Sequence, residues 1–296
     1  MIIGKIIGGL GNQMFQYVFY KYLSYTKKIE LKLDLEDFNS YYLHNGFELK
    51  KIFRINEGVA NNYEINSYKS DFPLLFKIEN KFLNKNILFG EKHFKENNFS
   101  INNKIFKDNI SDFYVEGYFQ TPKFINYLLN ENISFFDFKT NLIDKEKKIL
   151  NGNTVSIHIR GGDYIQNPKD MKLFGNICTK AYYQMAIKHI KSKVNKVKFI
   201  VFTNDLEYAK TILSDEKYTF ITWNSKENNF RDMYLMTQCK HNIIANSSFS
   251  WWGAFLNKNE KKIVISPSIW FNSSQIDQDN ILSVEWIKIS KDGVLV

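Results

Sequence analysis

The amino-acid sequence predicts an α/β protein built on parallel sheets, and two observations carry that prediction. From residue 154 to residue 266, five short apolar runs (TVSIHIR, KFIVFT, YTFIT, NIIAN and KIVIS) alternate with four helical segments. Residues 2 to 35 show the same alternation once: an apolar β-branched run, a glycine turn, a helical face and a second strand-like run. Runs that are apolar at nearly every position suit strands buried on both faces, the condition of a parallel sheet covered by helices.

Taken in order, Ile2 to Gly8 is the first strand, followed by Gly9-Leu10-Gly11-Asn12. Over residues 13 to 26, Met14, Phe15, Val18, Phe19, Tyr22 and Leu23 recur at helical spacing, with Asn12 the expected N-cap. Ile29 to Leu35 alternates like a strand, so the opening is a βαβ unit with a right-handed crossover. Residues 36 to 110 are rich in Asn, Lys, Phe and Tyr; helices are expected near 47–53 and 71–84, and no identifiable chemistry. Phe113 to Phe119 reads as a strand, and Thr121-Pro122 as the cap and first residue of a helix to about Leu129. Polar residues from about 139 to 153 mark the passage between two domains, 1–150 and 151–296. In the second, helices are expected over 180–196, 205–213, 229–240 and 249–257, and both halves read as Rossmann-like.

The composition narrows the function classes. With 44% hydrophobic and 24% charged residues the chain can bury a sizeable core, and two cysteines, Cys178 and Cys239, imply no disulfide framework. The first residues include Lys5 within a short apolar run and read as a strand rather than a signal peptide. The expectation is a cytoplasmic protein. A net charge of +9 fits a solvated surface in a chain generally rich in lysine and asparagine, a phosphate-bearing substrate or peripheral contact with an anionic inner membrane; the lysines are not interleaved with aromatics as a nucleic-acid groove requires, so no nucleic-acid partner is expected.

Ligands of open α/β sheets bind beyond the carboxyl ends of the strands, so the loops there carry the candidate chemistry. The first is His158-Ile159-Arg160-Gly161-Gly162-Asp163, where a buried strand ends by presenting an imidazole and a guanidinium two residues apart. The guanidinium fork suits two parallel bonds to a phosphate, and the glycines let backbone approach it. Arg160 and Asp163 could equally pair to fix the loop. In the second, Asn246-Ser247-Ser248-Phe249, hydroxyl residues open an apolar helix, which makes an anion site or an ordinary cap; Trp251, Trp252 and Phe255 read as packing. The third, Gly8-Gly9-Leu10-Gly11-Asn12-Gln13, partly matches a dinucleotide fingerprint with Asp34 beyond, but Met14 stands where the third glycine belongs. The five histidines are isolated, and no metal site is expected; Asp277-Gln278-Asp279 is a short Asp-x-Asp string in a polar stretch past the last recognised strand.

Five ordered stretches, GGLGNQMFQY at 8–17, EGYFQTPKFI at 116–125, HIRGGDY at 158–164, FTND at 202–205 and NSSFSWWGAFL at 246–256, give the chain a resemblance to the α-1,2-fucosyltransferase family. That resemblance implies a GT-B fold, two Rossmann-like domains facing a central cleft, with the acceptor on the first and GDP-fucose held mainly by the second. It implies an inverting, metal-independent transfer of L-fucose to the 2-hydroxyl of a galactose in a glycan acceptor, needing no cofactor. By the same likeness Arg160 grips the β-phosphate with His158 in support. Gly11, Asn12, Gln13, Asp205, Ser247, Ser248 and Phe249 are implied donor contacts. Asp163 is the candidate base, with Glu116, Asp205 and His158 as alternatives. Many relatives carry a second arginine where this chain has Gly161. The competing readings are another fucosyl linkage or GDP-sugar, a NAD-dependent oxidoreductase, and a non-catalytic sugar-nucleotide or glycan binder.

Overall fold

The computed structural model describes residues 1–40, 44–69, 92–213, 217–276, 278 and 281–296. The expected helix at 71–84, and Asp277 and Asp279 of the acidic string, lie outside them. The chain forms two compact units, one of Met1–Gly8, Gln13–Lys50 and Ile55–Phe135, the other of Gly9–Asn12, Lys51–Arg54 and Phe136–Val296.

The first unit opens with β1 (Ile2–Lys5), α1 (Leu10–Lys27) and β2 (Leu31–Asp34), the expected βαβ order. There follow α2 (Leu49–Ile52), β3 (Gly58–Val59), α3 (Asn62–Lys69), β4 (His93–Lys95), β5 (Phe113–Glu116) and α4 (Pro122–Asn130). The sheet runs β3-β2-β1-β5-β4 with every pairing parallel. Thr121 caps α4 by accepting from Lys123 N–H, and Pro122 takes the first turn, as its sequence predicts. Asn12 does not cap α1. The left-handed φ of +79° at Gly8 turns the chain directly from strand to helix, so α1 starts at Leu10 and Asn12 sits in its first turn.

In the second unit, α5 (Asp144–Ile149) precedes β6 (Asn153–Ile159). Then come α6 (Asp163–Gln166), α7 (Pro168–Phe174), α8 (Lys180–Lys193), β7 (Val197–Thr203), α9 (Leu206–Ile212), β8 (Thr219–Phe220) and α10 (Phe230–Gln238). The unit closes with β9 (His241–Ile243), α11 (Ser248–Phe255), β10 (Val264–Pro267) and β11 (Ile287–Ile289). The order is β11-β10-β9-β6-β7-β8, again wholly parallel. β11 extends the sheet beyond the strands the sequence shows; three residues are too few for a period to register. One face packs Val155, Ile157 and Val201 against Tyr182, Tyr183, Ala186 and Ile190 of α8. The other packs Ile200 and Phe202 against Leu235 and Met236 of α10. Trp251 and Trp252 are fully buried, as their packing role requires. Among the described residues no helix is long and apolar enough to cross a membrane.

In the first sheet β1, β2 and β3 run outward in turn to one side, while on the other side the chain reaches the edge strand β4 before β5; in the second sheet the strand order runs outward in both directions from a switch point between β6 and β9. Loops leaving the two central strands diverge there and open a crevice at the carboxyl edge.

Candidate active site

At this switch point the end of β6 carries His158 and the loop after it Arg160, while the loop after β9 leads through Ser247 to Ser248, the first residue of α11. His158 ends a strand buried on both faces; Tyr183 hydroxyl donates to its carbonyl at 2.8 Å, and its ring lies 5.9 Å from that of Phe249. Burial, reinforced by the nearby Arg160 cation, holds the imidazole down to about 3, so it is neutral at physiological pH. Its Nδ1 is buried without a hydrogen-bond partner.

Arg160 Nη2 bonds Asp163 Oδ2 at 2.8 Å, and its guanidinium lies over the Tyr164 ring at 5.4 Å. The loop-fixing pair of Arg160 with Asp163 is therefore present. It engages one edge of the fork only, because Nε is buried with no partner. Both glycines that follow are required here. A Cβ on Gly161 would lie 2.7 Å from Asp205 Cβ and 3.0 Å from the Tyr208 ring, which leaves no room for a larger side chain. Gly162 has φ +57° and would meet Asn204 Nδ2 at 2.7 Å. Asn204 Oδ1 accepts from Gly161 N–H at 2.9 Å and fixes the peptide in place.

The start of α11 meets the start of α1, whose first residues belong to the same unit. Ser248 hydroxyl donates to Asn12 Oδ1 at 2.7 Å, and Trp252 Nε1 donates to Gly11 carbonyl at 3.0 Å. A Cβ on Gly11 would stand 2.5 Å from the Ser248 carbonyl carbon and 2.6 Å from Phe249 N, so glycine is what permits the approach. Two positive helix ends thus converge beside the Arg160 loop, an arrangement that favours an anion. Ser247 occupies the N-cap position yet makes no capping bond with its side chain.

Two expected donor contacts are differently employed. Gln13 is fully buried, donating to the carbonyls of Gly8 and Gly46 at 2.8 Å each and accepting from Glu48 N–H at 3.0 Å; it shapes the turn from within. Asp205 is the N-cap of α9, accepting from Tyr208 N–H at 3.0 Å. Asp34, the acid of the dinucleotide reading, is buried and accepts from Tyr114 hydroxyl at 2.5 Å and Glu36 N–H at 2.9 Å.

Sequence reasoning missed a polar group after β8. Asp232, in the first turn of α10, accepts from Asn224 Nδ2 at 2.8 Å, and burial lifts its carboxyl to about 7. Nearby, Asn229 Oδ1 and Trp223 Nε1 are buried without partners. Trp223 and Phe249 pack on the same apolar cluster over Ile200, Phe202 and Ile221, which links this group to the β6 and β9 loops. The rule that pointed to the other loops applies here too, but the strand preceding it is two residues long and gives little signal. Among the described residues no three His, Cys, Asp or Glu side chains gather as a metal site needs.

Comparison with known proteins adds to this geometry. The family model described as glycosyl transferase family 11 matches residues 1–290. An Escherichia coli protein named alpha-1,2-colitosyltransferase is 33% identical over 98% of this chain and 99% of its own length. The E. coli O-antigen biosynthesis glycosyltransferase WbnK is 33% identical over 95% and 98%. Human galactoside alpha-(1,2)-fucosyltransferase 1 is 30% identical across 34% of this chain and 28% of its own. The crystal structure of the fucosyltransferase NodZ from Bradyrhizobium superposes with a TM-score of 0.50, at 12% identity, over 85% of this chain and 90% of that one, a likeness of fold.

Proposed function

This chain belongs to glycosyl transferase family 11, and from that premise we propose that it transfers L-fucose from GDP-β-L-fucose to the 2-hydroxyl of a galactose, with inversion and without a metal ion. We read the architecture as GT-B, with the acceptor held by the first unit and the donor by the second. The observation that carries the proposal is the pair of unpartnered atoms at the switch point of the second sheet, Arg160 Nε and His158 Nδ1, beside two converging helix starts. A diphosphate supplies the acceptor oxygens that Arg160 lacks. A hydroxyl of the donor or acceptor sugar can donate to the neutral His158. Asp232, Asn229 and the Trp223 indole offer the hydrogen bonds that the edge of a guanine base requires.

In the reaction the acceptor oxygen bonds to the anomeric carbon as the bond to the β-phosphate oxygen breaks, and GDP leaves with the electron pair. Arg160 and the starts of α1 and α11 stabilise the charge that develops on it. The acceptor proton needs a destination. Glu116 is a feeble base, because His93, Lys95 and Lys5 hold its carboxyl at about 2, and His158 is equally weak. Asp205 is occupied with its cap. Asp163, whose carboxylate is partly exposed, is the group we assign. An oxocarbenium-like transition state with late proton transfer asks little of that base.

A second reading is favoured by the full-length relative named as a colitosyltransferase: colitose is L-fucose without the 3-hydroxyl, and the same phosphate grip serves either donor. One experiment addresses both. Galactose-terminated acceptors are incubated with GDP-fucose, GDP-colitose or GDP-mannose, with and without EDTA, and products are read by mass and linkage. The proposal expects an α-1,2 fucosyl product that survives EDTA. A colitosyl product alone replaces the donor, loss of activity restored by Mn²⁺ removes the metal-independence, and no calorimetric affinity for GDP removes the site.

A further inference from the structure

We infer that the amino-terminal edge of the second sheet is a docking surface for an anionic phospholipid bilayer. A parallel sheet gathers all its strand starts at one end, and here lysines occupy that end. Lys193 and Lys196 lead into β7, Lys198 is its second residue, Lys240 precedes β9, and Lys258 and Lys261 lie in the turn before β10. Hydrogen bonds hold these segments side by side. Asn153 Nδ2 donates to Asn195 carbonyl at 2.7 Å, Lys240 N–H to Thr154 carbonyl at 2.8 Å, and Asn259 Nδ2 to Lys240 carbonyl at 2.8 Å; Thr154 is in register with Lys198. With strands about 4.8 Å apart, the six ammonium groups form a strip about 15 Å across, from β10 to β7.

All six lysines are exposed, and among the described residues none has an ion-pair partner; Glu260 is the acidic side chain within these segments. Lys198 Nζ is anchored at 2.7 Å by a neutral oxygen, the carbonyl of Asn151. The first unit is different. There Lys5, Lys21, Lys32, Lys92 and Lys95 each sit on a carboxylate. Across residues 136–296 there are 23 lysines and arginines against 16 acidic residues, but 17 against 15 across residues 1–135, so most of the net +9 belongs to the second unit.

The chemistry of the strip selects its partner. It contains no arginine and no aromatic side chain, the groups that read or stack on nucleic acid. Compact ammonium charges on a sheet edge match a plane of anionic headgroups, each within a Debye length of the surface. β6 is seven residues long, so the Arg160 loop stands about 20 Å from the strip. A docked molecule would hold that loop clear of the headgroups, within reach of a glycan anchored in the same bilayer. The inference holds whichever sugar is transferred.

The test is sedimentation of the full chain with phosphatidylcholine vesicles, with and without phosphatidylglycerol. We expect binding only with phosphatidylglycerol at low salt, lost on raising the salt well above physiological strength. The variant carrying Lys196→Glu, Lys240→Glu, Lys258→Glu and Lys261→Glu should bind more than about 100-fold more weakly, as about fivefold per lysine implies, with unchanged GDP affinity and unchanged turnover of a soluble galactoside. The matching Lys→Gln set, with an unaltered Tm, separates loss of charge from misfolding. Failure of the wild-type chain to bind phosphatidylglycerol vesicles, or equal binding by both variants, overturns the inference. So does retention by single-stranded RNA in place of vesicles.

Discussion

The two sheets are both wholly parallel but leave their carboxyl edges in opposite states. At the carboxyl edge of the first, the ionisable groups satisfy one another. Lys5 pairs with Asp37 at 2.9 Å, Glu116 accepts from His93 and Lys95 at 3.2 Å each, and buried Asp34 takes the Tyr114 hydroxyl. Among the described residues the orphan atom at that edge is a neutral amide nitrogen, Gln16 Nε2. At the second edge, Arg160 Nε, His158 Nδ1, Trp223 Nε1 and Asn229 Oδ1 are all buried and unpartnered. Each such atom costs the folded protein about 1–3 kcal/mol. One edge is completed by folding alone, whereas the other retains hydrogen-bonding capacity that a ligand can satisfy.

The largest test of this contrast is Arg160→Ala. Removing a charge clamp from a transition state should lower turnover by about 10²-fold or more and weaken GDP binding, with Tm preserved. Arg160→Lys should recover only part, because an ammonium cannot reproduce the fork. Steady-state kinetics beside calorimetric GDP titration check both, and wild-type-like values in either variant would show that the open valence at Nε serves no ligand. Gly11→Ala comes next. The added methyl meets the Ser248 backbone, which cannot swing aside, so the helix starts must separate at a cost of about 1–3 kcal/mol. Thermal melts should show a lower Tm together with weaker GDP affinity. Gly58→Ala is the control, since its Cβ finds Lys32 Cγ at 3.6 Å, an ordinary contact.

The pH dependence of stability sharpens the comparison further. Asp232, at about 7 when folded, stands above its usual value near 4, so its contribution is full below about pH 4 and is lost as the pH rises through 7. His158, at about 3, stands below its usual value near 6.5; its contribution is full above about pH 6.5 and is lost as the pH falls. Between those limits the two slopes oppose each other. Asp232→Asn removes one of them, so the variant should gain a few degrees in Tm near pH 8, gain nothing near pH 4, and bind GDP more weakly. A gain independent of pH would mean that Asp232 is ionised throughout.

Much of this was legible in the sequence because it depends on local patterns. The strand and helix alternation of residues 154–266, the Thr121-Pro122 helix start and the packing of Trp251 and Trp252 follow from periodicity and capping. The glycine at 161 marked a close approach, though only the fold shows that Asp205 and Tyr208 are what approach it. The contribution of Asp232 was hidden, because its burial arises from how α10 seats on a sheet whose nearest strand is two residues long. Gln13 shows the same limit of local pattern: an amide near a glycine turn is as suited to bracing the turn as to touching a ligand. Tertiary contacts to Gly46 and Glu48 decide between the two.

Asp205 offers the finest distinction, since its position beside the Arg160 loop suits a donor contact while its carboxylate is spent on α9. Loss of an N-cap in Asp205→Ala should cost about 1 kcal/mol, read as a small fall in Tm. Asparagine caps almost as well as aspartate, so Asp205→Asn should restore Tm. If capping is the whole of its work, GDP affinity follows Tm and returns with asparagine. If the charge itself meets the donor, affinity stays altered in Asp205→Asn while Tm does not, and Asp205 then belongs with the groups the second edge holds open for a ligand.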